Sequence, residues 1–134
     1  MLTRAMLAIW SPRLLSVMRI VVGFLYLLHG PQKLFGIPPS AKGATVELAS
    51  RLGAAGVIEI VGGLLILLGL FTRVTAFICS GEMAFAYFLA HAPRGALPIV
   101  NAGELPVLFC FIFLYLAAAG GGPWSLDAAL RRAP

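Results

Sequence analysis

Only five acidic residues occur among 134, and three of them, Glu59, Glu82 and Glu104, fall inside long apolar runs. Arg19 stands inside a further run of the same kind. An ionised group near the centre of a bilayer costs roughly 2.5–3.5 kcal/mol, so four cost on the order of 10 kcal/mol unless paired, protonated or hydrated. One such group per apolar run is a pattern, and it points to an intramembrane charged site. One arginine cannot neutralise three carboxylates. If Arg19 grips one of them, the other two need Lys33, His91, water or a proton. Carboxyls so placed can exchange protons, or hydrogen-bond a ligand, where bulk water does not reach. Tyr26 and Tyr115 add phenolic hydroxyls able to donate to a carbonyl.

Each of these residues also has a structural reading. Arg19 is two turns into its run and can snorkel to headgroups. Glu104 follows Asn101 at capping-box spacing and can satisfy a helix N-terminus. Glu59 can act as a hydrogen-bonding contact between helices. Glu82 lies deepest and has the weakest structural excuse, so it ranks first as a functional group. His29 and His91 sit at run ends without the H-x-x-x-H or E-x-x-H spacing of a metal site, so no metal is expected. Cys79 and Cys110 are too few for a disulfide framework. At about 9 and 12 Å from one membrane face they fit either a thiol pair or small apolar filler.

Positioning such groups requires helices. The chain is 60% hydrophobic and 11% charged, with mean hydropathy +0.98, against about 25% charged in soluble domains. That excludes a disordered tail, a collagen-like rod and a soluble globule. The net charge of +5 is spread singly at the ends of apolar runs, which suits anionic lipid headgroups and not nucleic acid. Four runs, at about residues 14–30, 53–71, 74–91 and 101–119, are each near the roughly 20 residues of a span. The expected fold is therefore an all-α membrane protein, an antiparallel bundle of four transmembrane helices in a single domain over residues 1–134.

Ser11-Pro12 reads as the opening of the first helix and Gly30-Pro31 as its end. That run is too long for a signal-peptide core, so it is expected to remain. The segment from Pro31 to Leu52 carries Gly36, Pro38, Pro39 and Gly43, with Ala44 to Leu52 expected as an interfacial helix. Spans two and three form a tight hairpin. Pro106 tightens the start of the fourth helix. Arg19, Gly23, Tyr26, Gly30 and Lys33 share one helical face, and Gly56, Glu59, Gly62 and Gly63 share another. By helical rise Arg19 and Glu82 lie about 9 and 13 Å from the side of the termini, with Glu59 and Glu104 about 18–22 Å away, so the charges stack along the bundle axis. The terminus side holds Arg4, Arg13, Arg73, Arg131 and Arg132 against Lys33, Lys42, Arg51 and Arg94 opposite, with Trp10 and Trp124 flanking it. The positive-inside rule then puts both termini in the cytoplasm.

Arg19 with Gly23, the segment Gly30-Pro31-Gln32-Lys33-Leu34-Phe35-Gly36, Glu59-Ile60-Val61-Gly62-Gly63 and Gly69-Leu70-Phe71-Thr72-Arg73 occur in that order. Ser80-Gly81-Glu82-Met83, Ala90-His91-Ala92-Pro93, Asn101-Ala102-Gly103-Glu104 and Trp124-Ser125-Leu126-Asp127 follow. In order and spacing these segments resemble the DoxX family of small four-span bacterial membrane proteins. The resemblance implies a four-helix bundle in the bacterial inner membrane with cytoplasmic termini. It also implies association with redox chemistry, since the family is named from a thiosulfate–quinone oxidoreductase subunit and its members are linked to oxidative stress and thiol metabolism. The first connection is short for the family, leaving little room for a periplasmic subdomain.

The leading expectation is a membrane subunit of an electron-transfer system that binds quinone, with Arg19, Glu59, Glu82 and Glu104 lining the site and Tyr26, Lys33, His91 and Tyr115 as secondary candidates. No covalently bound cofactor is expected. The sequence shows no haem, flavin, iron–sulfur or dinucleotide motif, so electron transfer requires a redox protein partner, and no individual residue is assigned a catalytic role. A second expectation is small-molecule or proton transport, which needs a homo-oligomer to enclose a path. A third is a membrane scaffold that recruits soluble redox enzymes.

Overall fold

The computed structural model describes residues 3–41 and 43–132, and every regular element among them is helical. Lys42, counted above with the loop-side cations, lies outside the described residues. In chain order the helices are α1 (Arg4–Phe35), α2 (Arg51–Leu68), α3 (Thr72–Ala86), α4 (Pro98–Asn101), α5 (Glu104–Ala119) and α6 (Leu126–Arg132). Between α3 and α4 the chain passes through a π-helical turn, Tyr87–His91, and a 3-10 turn, Ala92–Arg94.

Three helical stretches are long and apolar enough to cross a membrane: Arg4–Phe35, Arg51–Leu68 and Thr72–Arg94. The apolar α5, at 16 residues, rises about 24 Å, a little less than the roughly 30 Å hydrocarbon core. The four-helix layout expected from the sequence stands, with the fourth member the shortest.

The first helix differs from expectation. It starts at Arg4, where the Thr3 side chain accepts the Met6 N–H, and it runs through both Pro12 and Pro31. It stops at Gly36, whose φ of +67° lets the Gly36 N–H return to the Gln32 carbonyl and the Ile37 N–H to that of Pro31. Each proline removes one helical N–H. Breaking the helix inside hydrocarbon would expose several more backbone groups with no partner, so the chain keeps its turns. The expected interfacial helix over residues 44–52 is likewise not formed. The chain is irregular to Ala49, and Ser50 then caps α2 by accepting the Gly53 N–H at 3.0 Å.

Burial is inverted relative to a soluble domain. Large apolar side chains such as Val21, Phe24, Val61, Phe77, Phe85 and Phe111 face outward to lipid, while Arg19, Glu59, Ser16, Thr72 and Asn101 are buried. The interior apolar set is Val22, Tyr26, Ile66, Ala76, Cys79, Met83, Phe109, Phe113 and Leu116. Tyr26 meets Phe113 edge-on at 4.8 Å, and Phe109 stacks on Phe113 at 5.7 Å. Helix α1 packs along α2, and α3 along α5. The α1–α2 approach is close enough that a Cβ on Gly63 would come within 2.7 Å of the Leu27 backbone, and one on Gly23 within 2.7 Å of Leu67 N. Small residues carry this contact because apolar side chains gain nothing by leaving lipid for one another.

Candidate functional site

The buried faces expected on α1 and α2 form as read. Arg19, Gly23, Tyr26 and Gly30 of α1 are buried, as are Gly56, Glu59, Gly62 and Gly63 of α2. Where these faces meet α3, a polar cluster forms toward the end of the bundle opposite the termini. Lys33, in the last turn of α1, approaches Glu59 of α2 with Nζ 2.5 Å from Oε1. The Lys33 side chain is 29% exposed and Glu59 only 2%. The Tyr26 hydroxyl, fully buried, donates to Glu82 Oε2 at 2.9 Å. The second carboxylate oxygen of Glu59 is buried and has no hydrogen-bond partner among the described residues.

Two cavities flank this cluster and share Lys33, Ala86 and His91 as walls. One is a cleft of about 450 Å³ between α2 and the α3–π segment. Its walls are mostly apolar, with Leu52, Ile58, Phe85 and Leu89, and its charged groups are Lys33, Glu82 and Arg51. The other, of about 230 Å³, is bounded by His29, Lys33, Glu59, His91, Pro106 and Phe109. His91, the last residue of the π turn, lines both. A single-turn π segment inside an α-helix frequently accompanies a functional site. Asn101 holds this end together. Its Nδ2 donates to the Gly95 carbonyl at 2.9 Å, its Oδ1 accepts the Gly103 N–H at 2.8 Å, and its own carbonyl lies 3.0 Å from His91 Nδ1. A carbonyl only accepts, so His91 Nδ1 carries a hydrogen and donates it there.

The structure gathers Glu59, Glu82, Tyr26, Lys33 and His91, and excludes three other expected members. Arg19 neither pairs with a glutamate nor snorkels. It is fully buried at the terminus side, about 21 Å along α1 from Lys33. There its guanidinium donates to the carbonyls of Ile66 at 2.8 Å, Leu67 at 2.5 Å, Gly121 at 2.9 Å and Trp124 at 2.5 Å. The end of α2 exposes carbonyls that no intrahelical N–H can reach, and the five donors of arginine satisfy them together with the loop after α5. Glu104 is exposed as the first residue of α5. The Asn101 side chain is engaged by Gly103, Gly95 and Tyr87, so the capping box is not formed. Tyr115 is 57% exposed on the lipid face of α5. Cys79 and Cys110 are both free thiols. Cys79 lies over Gly62, where an added Cβ would come within 2.5 Å of its sulfur, whereas Cys110 contacts Ser80 Oγ at 3.5 Å.

Lys33, a secondary candidate from the sequence, lies past the expected helix end at Gly30-Pro31 yet inside α1. Its spacing on the Arg19–Tyr26 face was the signal that α1 continues.

Comparison with known proteins bears on what this cluster belongs to. A model of the family described as DoxX matches residues 14–92, which includes Lys33, Glu59, Glu82 and His91. The chain belongs to the DoxX family. It is 47% identical over 122 residues to an uncharacterized protein of Haemophilus influenzae, covering 88% of this chain and 91% of that one. It is 30% identical over 145 residues to an uncharacterized membrane protein of Mycobacterium tuberculosis, covering 91% and 84% respectively. No solved structure matches. The family model ends near His91, so within this DoxX chain it takes in the whole charged cluster and stops before α4 and α5.

Proposed function

We propose that this DoxX protein binds the ring of a quinone in the cleft at the loop end of its bundle, as the membrane subunit of an electron-transfer system. The observation that carries the reading is the cleft's polarity: about 450 Å³ with apolar flanks, and Lys33, Glu82 and His91 at its inner wall. Ligand sites commonly have this form, mostly apolar with a few converging polar groups. Leu52, Ile58, Phe85 and Leu89 would flank an isoprenoid-like tail, and Lys33 has ammonium hydrogens beyond the one that meets Glu59 to donate to a ring oxygen. A bound quinone would supply a carrier of two electrons and two protons.

The residues of the chain hold and move protons around that ring. Tyr26 fixes the Glu82 carboxylate by donating to Oε2, leaving Oε1 for the cleft. Lys33 bridges the cleft and the inner cavity, so a proton leaving one side has Glu59 as its nearest buried acceptor. The protein supplies orientation and protons, and a partner protein supplies the electron path. The location that fits is a bacterial inner membrane with the termini in the cytoplasm, where Arg4, Arg13, Arg73, Arg131 and Arg132 meet anionic headgroups.

The test is retention. The protein is extracted with its native lipid into nanodiscs, and its quinone content is compared with that of bulk lipid. Quinone should be enriched in the wild type, with the enrichment lost in Lys33→Met and weakened in Glu82→Gln. Wild-type particles with no enrichment overturn the proposal. A proton pathway is the second reading, favoured by the two cavities meeting at Lys33 and His91. Liposome proton flux unchanged by Glu82→Gln would remove it.

A further inference from the structure

The unmatched oxygen of Glu59 bears on which form of a ring suits the site. Two carboxylate oxygens face the cavities without a donor among the described residues: Glu59 Oε2 at the inner one, and at the cleft the Glu82 oxygen not engaged by Tyr26. Glu59 is 1% exposed. Leaving an acceptor of that kind buried and unmatched costs about as much as a lost hydrogen bond to a charged group. Lys33 is the shared cation, and it already spends one hydrogen on Glu59 Oε1. Arg51 stands in the wall of the outer cleft but not of the inner cavity. His29 and Lys33 in the inner wall offer donors to a carbonyl, but a carbonyl placed at Glu59 Oε2 meets only an acceptor. A ligand hydroxyl at that oxygen would satisfy it.

We infer that the site selects the reduced, dihydroxy form of its ring, with a ligand hydroxyl donated to Glu59 Oε2. The inference rests on the quinone reading above and adds the redox state to it. Glu59 sits on the wall of the 230 Å³ cavity, so the ring or its hydroxyl must reach that side of Lys33. The Lys33–Glu59 pair has the role of keeping the carboxylate an acceptor. An ionised carboxylate has no hydrogen to offer, so it discriminates against a carbonyl at the same place. A pocket built to hydrogen-bond a hydroxyl rejects the analogue lacking it by leaving its own group unpaired.

The experiment is equilibrium binding by titration calorimetry to the full chain in nanodiscs of synthetic, quinone-free phosphatidylcholine. Three probes are used: a decyl-tailed benzoquinone, its hydroquinone held reduced without oxygen, and the dimethyl ether of that hydroquinone. The hydroquinone should bind at least about tenfold tighter than either of the others, the shift expected from one hydrogen bond to a charged acceptor. In Glu59→Gln the amide can turn its NH₂ to a carbonyl, so the preference should fall to parity or invert. Quinone binding as tightly as hydroquinone in the wild type overturns the inference and leaves the quinone site standing. No binding of any of the three overturns the quinone site as well. The ether comparison is made on the wild type, so the result does not depend on the variant folding.

Discussion

Replacing Arg19 tests whether the one buried guanidinium serves the fold or the charged cluster. Its truncation to alanine removes partners from four carbonyls. The Ile66 carbonyl keeps the Gly69 N–H, and that of Gly121 keeps a long contact from Ser16 Oγ at 3.4 Å. Those of Leu67 and Trp124 depend on Arg19. Both bonds are partly buried, so the about 1–3 kcal/mol of a fully buried unmatched acceptor is a ceiling for each, and the loss should stay below about 6 kcal/mol. Relief of the cation's own desolvation trims that figure. Lysine would recover part of it, since one ammonium cannot span the end of α2 and the loop at Gly121–Trp124 as the planar fork does. Reversible unfolding in mixed micelles measures both variants, alone and combined with Glu82→Gln. Arg19 and Glu82 share no partner, so the effects should add within about 0.5 kcal/mol. Wild-type stability in Arg19→Lys, or a coupling with Glu82 above about 1 kcal/mol, would refute the reasoning.

Lys33→Met leaves the buried Glu59 carboxylate unpaired. The loss should fall short of the about 3–5 kcal/mol of a fully buried pair, because Lys33 is 29% exposed, and adding Glu59→Gln should recover stability in the same unfolding assay. Gly62→Ala places a Cβ against Cys79 Sγ and should cost about 1–3 kcal/mol as overpacking; Cys79→Ala in the same chain should restore most of it, read as the shift in midpoint. Asp127 accepts the N–H groups of Phe71 at 2.8 Å and Thr72 at 2.9 Å, tying α6 to the α2–α3 turn. Burial pushes its carboxyl up, but the hydrogen bonds from Thr72 and Phe71 and the nearby Arg131 charge outweigh that and hold it below the ordinary 3.8. A lowered folded pKa means the contribution is complete above the unfolded value and fades as pH falls below 3.8 toward the folded one. Protection of the amides at residues 70–75, relative to their intrinsic exchange at each pH, should therefore fall in acid in the wild type and show no such step in Asp127→Ala.

The amphipathic inversion of the chain made its class legible: four long apolar runs with so few charges admit little besides a helical membrane bundle. Helical periodicity also placed Tyr26 and Lys33 on one face and Glu59 with its glycines on another, and the structure keeps both faces. Proline and glycine misled at Gly30-Pro31. Their local cost is smaller than that of freeing backbone groups in hydrocarbon, a comparison only the surrounding fold can make. For the same reason the segment before Arg51, outside that constraint, did not become helix.

The sequence determined that charges inside the apolar runs would need partners or a helix end: Arg19 and Glu59 are buried, and Glu104 is exposed at the start of α5. It did not determine which charge met which. Arg19 and Glu59 were equally in need of partners, and spacing along separate helices fixes depth but not rotation or neighbour. Tertiary packing gave Arg19 the carbonyls at the end of α2 and the loop after α5, and it gave Glu59 to Lys33. The physical reason is that backbone carbonyls at a helix end are acceptors that sequence patterns do not display, because every residue carries one. They claimed Arg19, and Glu59 and Glu82 were left to form a cluster with Lys33 and Tyr26.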